Sequence, residues 1–529
     1  MRKYVPFLLC LLGGVGYAMG YPGVLFPQIF FFPIIGFAIL EFFLRSEEGL
    51  KRKFLLTLVF AMGLTFAGYY WIPYTMFEFG GIIPPFNYLL GAAFSLIVLP
   101  QYFIYVLVDN YRESKLPEYW KELFAQPAFK ALLLALLETY VPQQFPAHLG
   151  HPWMQMAPFI GMAPYIGAVG YSYFSYLIAF SVVDLVKQKE LPIIPIAASL
   201  IFIFLNAFIP LQRPTEDLAN LRVRLVQANI GSLMKLQSES GLFGSVRTVL
   251  NTYSELTKQP SDKKIDLVIW PETAYPNQTQ SEILKYNYAF MPKVFLQASR
   301  DMEADFFTGG YDSVKNSDDV YYESEYNAAF FVTREGLLSD VYHKMKLIPF
   351  GEGLPFGPLN RFFSKIITNI TYFAQGQKFT LFKTSDGHYF STAICYEILF
   401  SNFIRKYLNS TEKDPSFLIN ITNDSWYGPT SEPHQHLFLS KWRAVENNLP
   451  VIRMTNTGIS SVLYEDGTES KRTGVFTKEI LDVDLSFQKK RQKTLYQTVG
   501  FGVVLVIAIL ILVITLLVKN LLLPTREVE

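Results

Sequence analysis

The sequence predicts an α+β membrane protein: an eight-helix transmembrane bundle carrying an extracytoplasmic α/β domain. Three observations predict it. Apolar runs of membrane-spanning length crowd residues 4–211 and recur at 499–518; basic residues fill every second connection between them; and short β-like runs alternate with polar, helix-like stretches between 212 and 495. The chain of 529 residues is too long for one ordinary domain. Half its residues are hydrophobic (50%) and only 17% are charged, against about 25% in soluble domains. A net charge of +1 offers no electrostatic footprint for nucleic acid or another polyanion. Two cysteines, Cys10 and Cys395, make no disulfide framework.

Spans are expected near 4–21, 24–44, 54–76, 86–108, 128–145, 157–184 and 193–211, with a last one at 499–518. The first resembles a secretory signal, but further apolar runs follow at once, so it is read as a helix that stays. Glu138 interrupts the fifth, and a carboxylate at that depth is expected to face the bundle rather than lipid. Arg2 and Lys3 precede span one. Arg45, Lys51, Arg52 and Lys53 lie between spans two and three; Arg112, Lys115, Lys121 and Lys130 between four and five; Lys187 and Lys189 between six and seven. Positive charge marks the cytoplasmic side. The N-terminus is therefore expected inside, residues 212–495 outside, and the last helix returns Lys519 and Arg526 to the inside. Three units follow: a bundle (1–211), an α/β domain (212–495), and a C-terminal helix with a short tail (496–529).

In the α/β unit, "RVRLVQANI" (222–230), "IDLVIWPE" (265–272), "NAAFFVT" (327–333), "YFSTAICY" (389–396) and "SFLINIT" (416–422) read as strands. Chemistry gathers at strand ends. In "DLVIWPET" the proline stops the strand and presents Glu272 at its carboxyl end. "YHKMKLIPFGE" (342–352) sets Lys344, Lys346 and Glu352 around another proline stop. "STAICYEILF" (391–400) places Cys395 where a tight turn would expose its sulfur. A thiol of pKa about 8.5 is only a few per cent thiolate near neutrality, so a nucleophilic cysteine needs a base and a charge stabiliser. Glu272 is the candidate base, and Lys344 with the Tyr396 backbone N–H the candidate oxyanion holders.

"WPET", "HKMKLIPFGE", "AICYE" and "NDSWYG" (423–428), in this order, resemble the nitrilase superfamily with its Glu-Lys-Cys triad. Eight spans around such a domain, the "LIPFGE" form of the lysine motif and "GHPWMQMAPFIG" (150–161) narrow the resemblance to the apolipoprotein N-acyltransferase family. The resemblance implies a four-layer αββα sandwich on a membrane bundle in the bacterial inner membrane, its catalytic side periplasmic and both termini cytoplasmic. It implies Glu272 as base, Cys395 as nucleophile and Lys344 as charge stabiliser, since the family's lysine stands three residues before the leucine of that run, here Leu347. Glu352 would orient Lys344, Tyr396 and Glu397 would line the pocket, and Trp426 would stand close by. Arg443 and Glu446 in "KWRAVENN" look structural. Met234 and Leu236 stand in a region where many relatives carry tryptophan, and "RAVENNLP" lacks the family's second arginine.

The activity so implied is ping-pong acyl transfer: a phospholipid acyl group passes to Cys395 as a thioester, then to the N-terminal amine of a diacylated apolipoprotein. No cofactor is implied. His434 and His436 in "EPHQHLF" stand without Cys or carboxylate partners in a recognisable metal pattern, so no metal is expected. The stretch 349–377, mixing Gly, Pro and aromatics, reads as a lid or lipid-contacting arm, the alternative being a simple packed loop. Two rivals are a tethered amidase that passes the thioester to water and a non-enzymatic transporter or scaffold.

Overall fold

The computed structural model describes residues 2–522 except 24–25, 79, 188, 190, 287, 315–324, 356, 364 and 366–371. The N-terminal half is helical: Val5–Ala18, Phe32–Leu44, Leu50–Gly68, Trp71–Glu78, Phe86–Val98, Pro100–Lys115, Glu118–Ala125, Pro127–Tyr140, Ala163–Lys187 and Ile193–Phe208. Among the described residues, Ala163–Lys187 and Gly502–Lys519 are long and apolar enough to cross a membrane by themselves. Up to four such spans exist if each of two bent pairs counts as one, and Val5–Ala18, Phe32–Leu44 and Ile193–Phe208 are shorter apolar helices.

The bends correct two of the expected continuous spans. The run 54–76 is Leu50–Gly68 followed by Trp71–Glu78 at 66°, and 86–108 is Phe86–Val98 followed by Pro100–Lys115 at 55°. Pro100 explains the second, because proline lacks the N–H of an interior helical residue and drives its predecessor out of the helical region. The fifth run ends at Tyr140, short of Pro142, and its Glu138 is buried, accepting from Tyr176 Oη at 2.6 Å and Leu149 N at 2.9 Å. Lys53 and Lys130, counted above as loop charges, are buried inside helices. Lys53 pairs with Glu113 at 2.9 Å and Lys130 with Glu41 at 3.3 Å. Arg526 lies outside the described residues.

The second half builds two sheets. The strands of the first are β1 (Leu218–Gln227), β2 (Leu267–Ile269), β3 (Gln278–Thr279), β4 (Asp305–Ser313), β5 (Glu325–Val332), β6 (Leu338–His343) and, last in the chain, β12 (Glu479–Gln488). They run in the order β12-β1-β2-β4-β5-β6, with β3 paired to β4. The second sheet holds β7 (Phe382–Lys383), β8 (Tyr389–Ile394), β9 (Phe417–Thr422), β10 (Val451–Thr455) and β11 (Ser461–Leu463), in the order β11-β10-β9-β8-β7. The inner faces meet through aromatic rings: Phe307 of β4 lies 5.6 Å from Phe390 of β8, and Phe331 of β5 lies 5.2 Å from it. On the outer face of the first sheet Val226, Val268 and Phe306 pack with Val249, Tyr253 and Leu256 of helix Phe243–Thr257. Ile404, Tyr407 and Leu408 of helix Ser401–Ser410 belong to the same cluster as the second sheet and the bundle.

Helix Glu432–Asn447 joins the α/β half to the bundle. Gly167 takes φ +61 within Ala163–Lys187, a break that leaves Ala168 N–H as a helix-start donor with no intrahelical acceptor. Glu446 Oε1 accepts that N–H at 2.9 Å, while its Oε2 accepts from Ser401 Oγ at 2.7 Å and Arg443 Nη2 at 3.0 Å. Trp442 Nε1 donates to His151 O at 3.0 Å. Glu446, paired with Arg443, and Trp442 thus hold the two halves together, away from the strand-end chemistry.

Candidate active site

Four strand ends converge. After β2, Trp270 and Pro271 carry the chain to Glu272, which is buried. Gly309 of β4 permits this approach, since a Cβ there would lie 2.6 Å from the Glu272 Cα. Lys344 directly follows β6 and is fully buried. Its Nζ donates to Glu272 Oε1 at 3.1 Å and to Glu352 Oε1 at 2.8 Å. Burial lowers the affinity of the ammonium for its proton, but Glu272 and Glu352 outweigh it and hold the lysine well above its ordinary value. Lys346, by contrast, sits over the Phe400 ring at 4.0 Å. Geometry therefore separates the two lysines: only Lys344 lies between carboxylates.

Asn327, at the start of β5, was not singled out in the sequence. Its Nδ2 bridges Glu272 Oε1 (2.8 Å) and Glu352 Oε1 (2.9 Å). Asn423 N donates to Glu272 Oε2 at 2.9 Å, and Ile348 N to Glu352 Oε2 at 2.9 Å. Each carboxylate is thus oriented by an amide as well as by the ammonium.

Cys395 directly follows β8 with φ +50 and is 3% exposed. A non-glycine residue in that region is strained by about 1–2 kcal/mol, so the surroundings must hold it there. Burial pushes the thiol well above its usual value; Glu272 adds to this, and Lys344 opposes it. The buried thiol is a poor nucleophile until a base takes its proton. Tyr396 turns away: its hydroxyl donates to Gln144 O in the bundle, and its ring lies 5.7 Å from Phe145. Trp71 packs on Tyr427 at 5.1 Å, and Gln144 Nε2 donates to Pro349 O at 3.3 Å. Bundle residues therefore border the site, another feature that the local motifs did not announce. Trp426 lies half-buried in the turn Asp424–Tyr427.

Glu397, expected to line the pocket, is a buried hub. Its carboxylate accepts from Tyr342 Oη (2.9 Å), Met345 N (2.7 Å), Lys346 N (2.9 Å) and Ile394 N (2.8 Å). Burial pushes its carboxyl up to about 7, against the pull of the backbone donors at Ile394, Lys346 and Met345. It ties the turn carrying Cys395 to the segment carrying Lys344. Glu397→Ala leaves three backbone N–H groups and a phenol without their acceptor, at about 1–3 kcal/mol each. We expect a loss of at least about 3 kcal/mol, measured by denaturant unfolding in detergent.

His436 has the carboxylate partners that the sequence reading did not find. It lies 3.3 Å from Asp424 Oδ1 and 3.4 Å from Glu432 Oε1, and ligand atoms of the three residues fall within 4.8 Å of one another. Glu432 precedes His436 by one helical turn, the i, i+4 spacing that would have revealed the pair. The cluster has its own cation, since Arg453 Nη2 donates to Asp424 Oδ2 at 2.8 Å. Burial lowers His436, yet Asp424 and Glu432 hold it above its ordinary value; burial and Asp424 push Glu432 up to about 7.

A buried thiol, an ammonium and paired carboxylates at the ends of two facing sheets define a class, and the chain belongs to the carbon-nitrogen hydrolase family, whose model matches residues 222–493. The bundle narrows it further: residues 13–181 match the apolipoprotein N-acyltransferase N-terminal domain. An apolipoprotein N-acyltransferase of Bdellovibrio bacteriovorus is 29% identical over 446 residues, 80% of this chain and 78% of that protein. One of Rickettsia prowazekii is 26% identical over 523 residues, 96% and 98% of the two chains. Among solved structures, an amidase from Nesterenkonia matches 50% of this chain and 90% of its own at 17% identity, with a TM-score of 0.34.

Proposed function

We propose that this membrane protein is an acyltransferase that moves an acyl chain from a phospholipid, through a Cys395 thioester, to the N-terminal amine of the diacylglyceryl-cysteine of an apolipoprotein. One observation carries the reading: a buried thiol beside a carboxylate–ammonium–carboxylate array, bordered by residues of the membrane bundle. The relatives' name and the match of the bundle support the same substrate pair. In the first half, Glu272 takes the thiol proton, the sulfur bonds to the ester carbonyl carbon, and the ester C–O bond breaks as Glu272 returns the proton to the lysophospholipid oxygen. In the second, the lipoprotein amine bonds to the thioester carbon, the C–S bond breaks, and the amine proton passes through Glu272 to the sulfur. Lys344 and the Tyr396 N–H face the oxyanion of each tetrahedral intermediate; Glu352 holds Lys344, Glu397 fixes the turn, and Trp426 borders the acyl path. With this go an eight-span bundle over 1–211 and 496–529, a four-layer αββα unit over 212–495 on the periplasmic side of the bacterial inner membrane, and cytoplasmic termini.

The segment 349–377 is read as a lipid-contacting arm, although 356, 364 and 366–371 lie outside the described residues. Its short helix Asn360–Phe363 leaves Phe362 61% exposed. Phe362→Ala should raise the KM for phospholipid by about 10-fold with kcat little changed, as loss of one buried aromatic contact would. Steady-state kinetics in mixed micelles would read this, and an unchanged KM would remove the arm from lipid binding.

The decisive experiment follows intact mass. Purified protein given phospholipid alone should gain one acyl mass and lose it to a diacylated lipopeptide, which becomes triacylated. Release of the acyl group as free acid with the lipopeptide present would make the protein a hydrolase instead.

A further inference from the structure

Beneath the nucleophile lies a second buried polar network that the proton transfers above leave unused. β8 and β9 pair in parallel with Ile394 opposite Ile421, so Cys395 and Thr422 leave the sheet as neighbours. Thr422 Oγ1 donates to Asp424 Oδ1 at 3.1 Å, and Asp424 Oδ2 accepts from Arg453 Nη2 at 2.8 Å. The other arm of the same guanidinium, Nη1, donates to Asn420 Oδ1 at 2.8 Å. Asn420 Nδ2 in turn reaches the carbonyls of Ala393 (3.0 Å) and Cys395 (3.5 Å). All four side chains are buried. From one guanidinium, one arm leads through Asp424 and Thr422 towards the sulfur, and the other through Asn420 to the backbone of the same residue. The slot is tight: a Cβ on Gly458 would lie 2.1 Å from Asp424 Oδ2.

We infer that Arg453, Asp424, Asn420 and Thr422 form a clamp that positions Cys395, with the Thr422 hydroxyl as the hydrogen-bond partner of its sulfur. The inference deepens the acyl-transfer reading and rests on it for its role in turnover. A residue at φ +50 needs such over-determination. The hydroxyl carries a single proton. While the thiol is protonated, that proton serves Asp424 and the threonine oxygen is free to accept S–H. Once Glu272 has taken the thiol proton, the hydroxyl turns to the thiolate. Asp424 Oδ1 then still has His436 Nδ1 at 3.3 Å. The charged and titratable groups near the sulfur are Glu272, Lys344, Asp424 and the Tyr396 and Tyr427 phenols, and Arg453 neutralises Asp424.

The test uses the full chain in detergent with Cys10→Ala, which leaves Cys395 as the single thiol, and follows iodoacetamide alkylation against pH. Thr422→Val, nearly the same shape without the hydroxyl, should slow alkylation at pH 7 by about 10-fold and move the profile to higher pH; Thr422→Ser should stay within about 2-fold of the parent. A Val variant with the parent's profile overturns the clamp, as does a Ser variant that loses as much as Val, which would make the methyl group, not the hydroxyl, the contact that matters. Thioester formation from phospholipid, measured on the same samples, separates the two claims. A parent that alkylates but never loads acyl mass overturns the acyl-transfer reading, while the Val and Ser comparison still decides the clamp.

Discussion

Cys395→Ala should take up no acyl mass from phospholipid, and Glu272→Gln should take it up about 10²–10⁴-fold more slowly than the parent. The magnitude is that of a lost general base. Burial holds the Cys395 thiol protonated, so attack waits on proton removal, and a glutamine amide cannot accept that proton. Glutamine keeps one oxygen for Lys344 Nζ and Asn327 Nδ2, while its NH2 faces Asn423 N–H, which loses its acceptor at about 1–3 kcal/mol. Loss of chemistry should therefore come with a stability loss of only about 1–3 kcal/mol. Single-turnover loading read by intact mass, with thermal unfolding alongside, tests both halves. Loading of Glu272→Gln at the parent rate would move the base elsewhere.

Lys344→Met should have the second large effect, on stability as well as turnover. The ammonium lies between Glu272 and Glu352 in a buried site, and removing it leaves two carboxylates sharing Asn327 without a cation. Breaking a buried ion pair from one side costs about 3–5 kcal/mol. If Lys344 faces the oxyanion as proposed, its loss should slow loading by a further factor of about 10²–10³. Because Lys344 is held above its ordinary value, its stabilisation is fully present below about pH 10.4, the unfolded value, and lost only as pH rises through the higher folded one. The lysine's contribution to the parent should accordingly be constant between pH 6 and 9. Adding Glu352→Gln should restore part of the stability and none of the loading. Equal unfolding midpoints for parent and Lys344→Met would show the pairing to be energetically idle.

What the sequence disclosed of the site is what ends a strand in a local motif. Glu272 follows the proline after β2, Lys344 follows β6, and Cys395 follows β8, so each stands where an apolar run stops. Asn327 left no such mark, since it opens the run "NAAFFV" and works only because the β4–β5–β6 register brings it beside Lys344. β4 itself, "DFFTGGYDS", hides its strand behind two glycines, one of which makes room for Glu272. Arg453 and Asp424 are 29 residues apart, and no periodicity announces a pair that adjacent parallel strands create. Hydropathy marked the apolar runs but not their bends, because mean hydropathy is blind to one proline such as Pro100. The border of the site shares this limit: Gln144 and Trp71 reach it from a half of the chain read only for its spans.

The Glu446 cap on Ala168 has a thermodynamic consequence. One hydrophobic cluster runs unbroken from Phe60 and Tyr176 of the bundle through Tyr171 and Trp442 to Ile419 and Phe390 of the second sheet. Freed from the bundle, residues 212–495 would present Trp442 to water and leave Glu446 holding its charge beside Arg443 and Ser401 alone. The α/β half lacks autonomy: its folding is linked to the bundle's, and the two should melt as one cooperative unit. A soluble version of this enzyme would need a new surface on helix Glu432–Asn447 before it needed any change at Cys395.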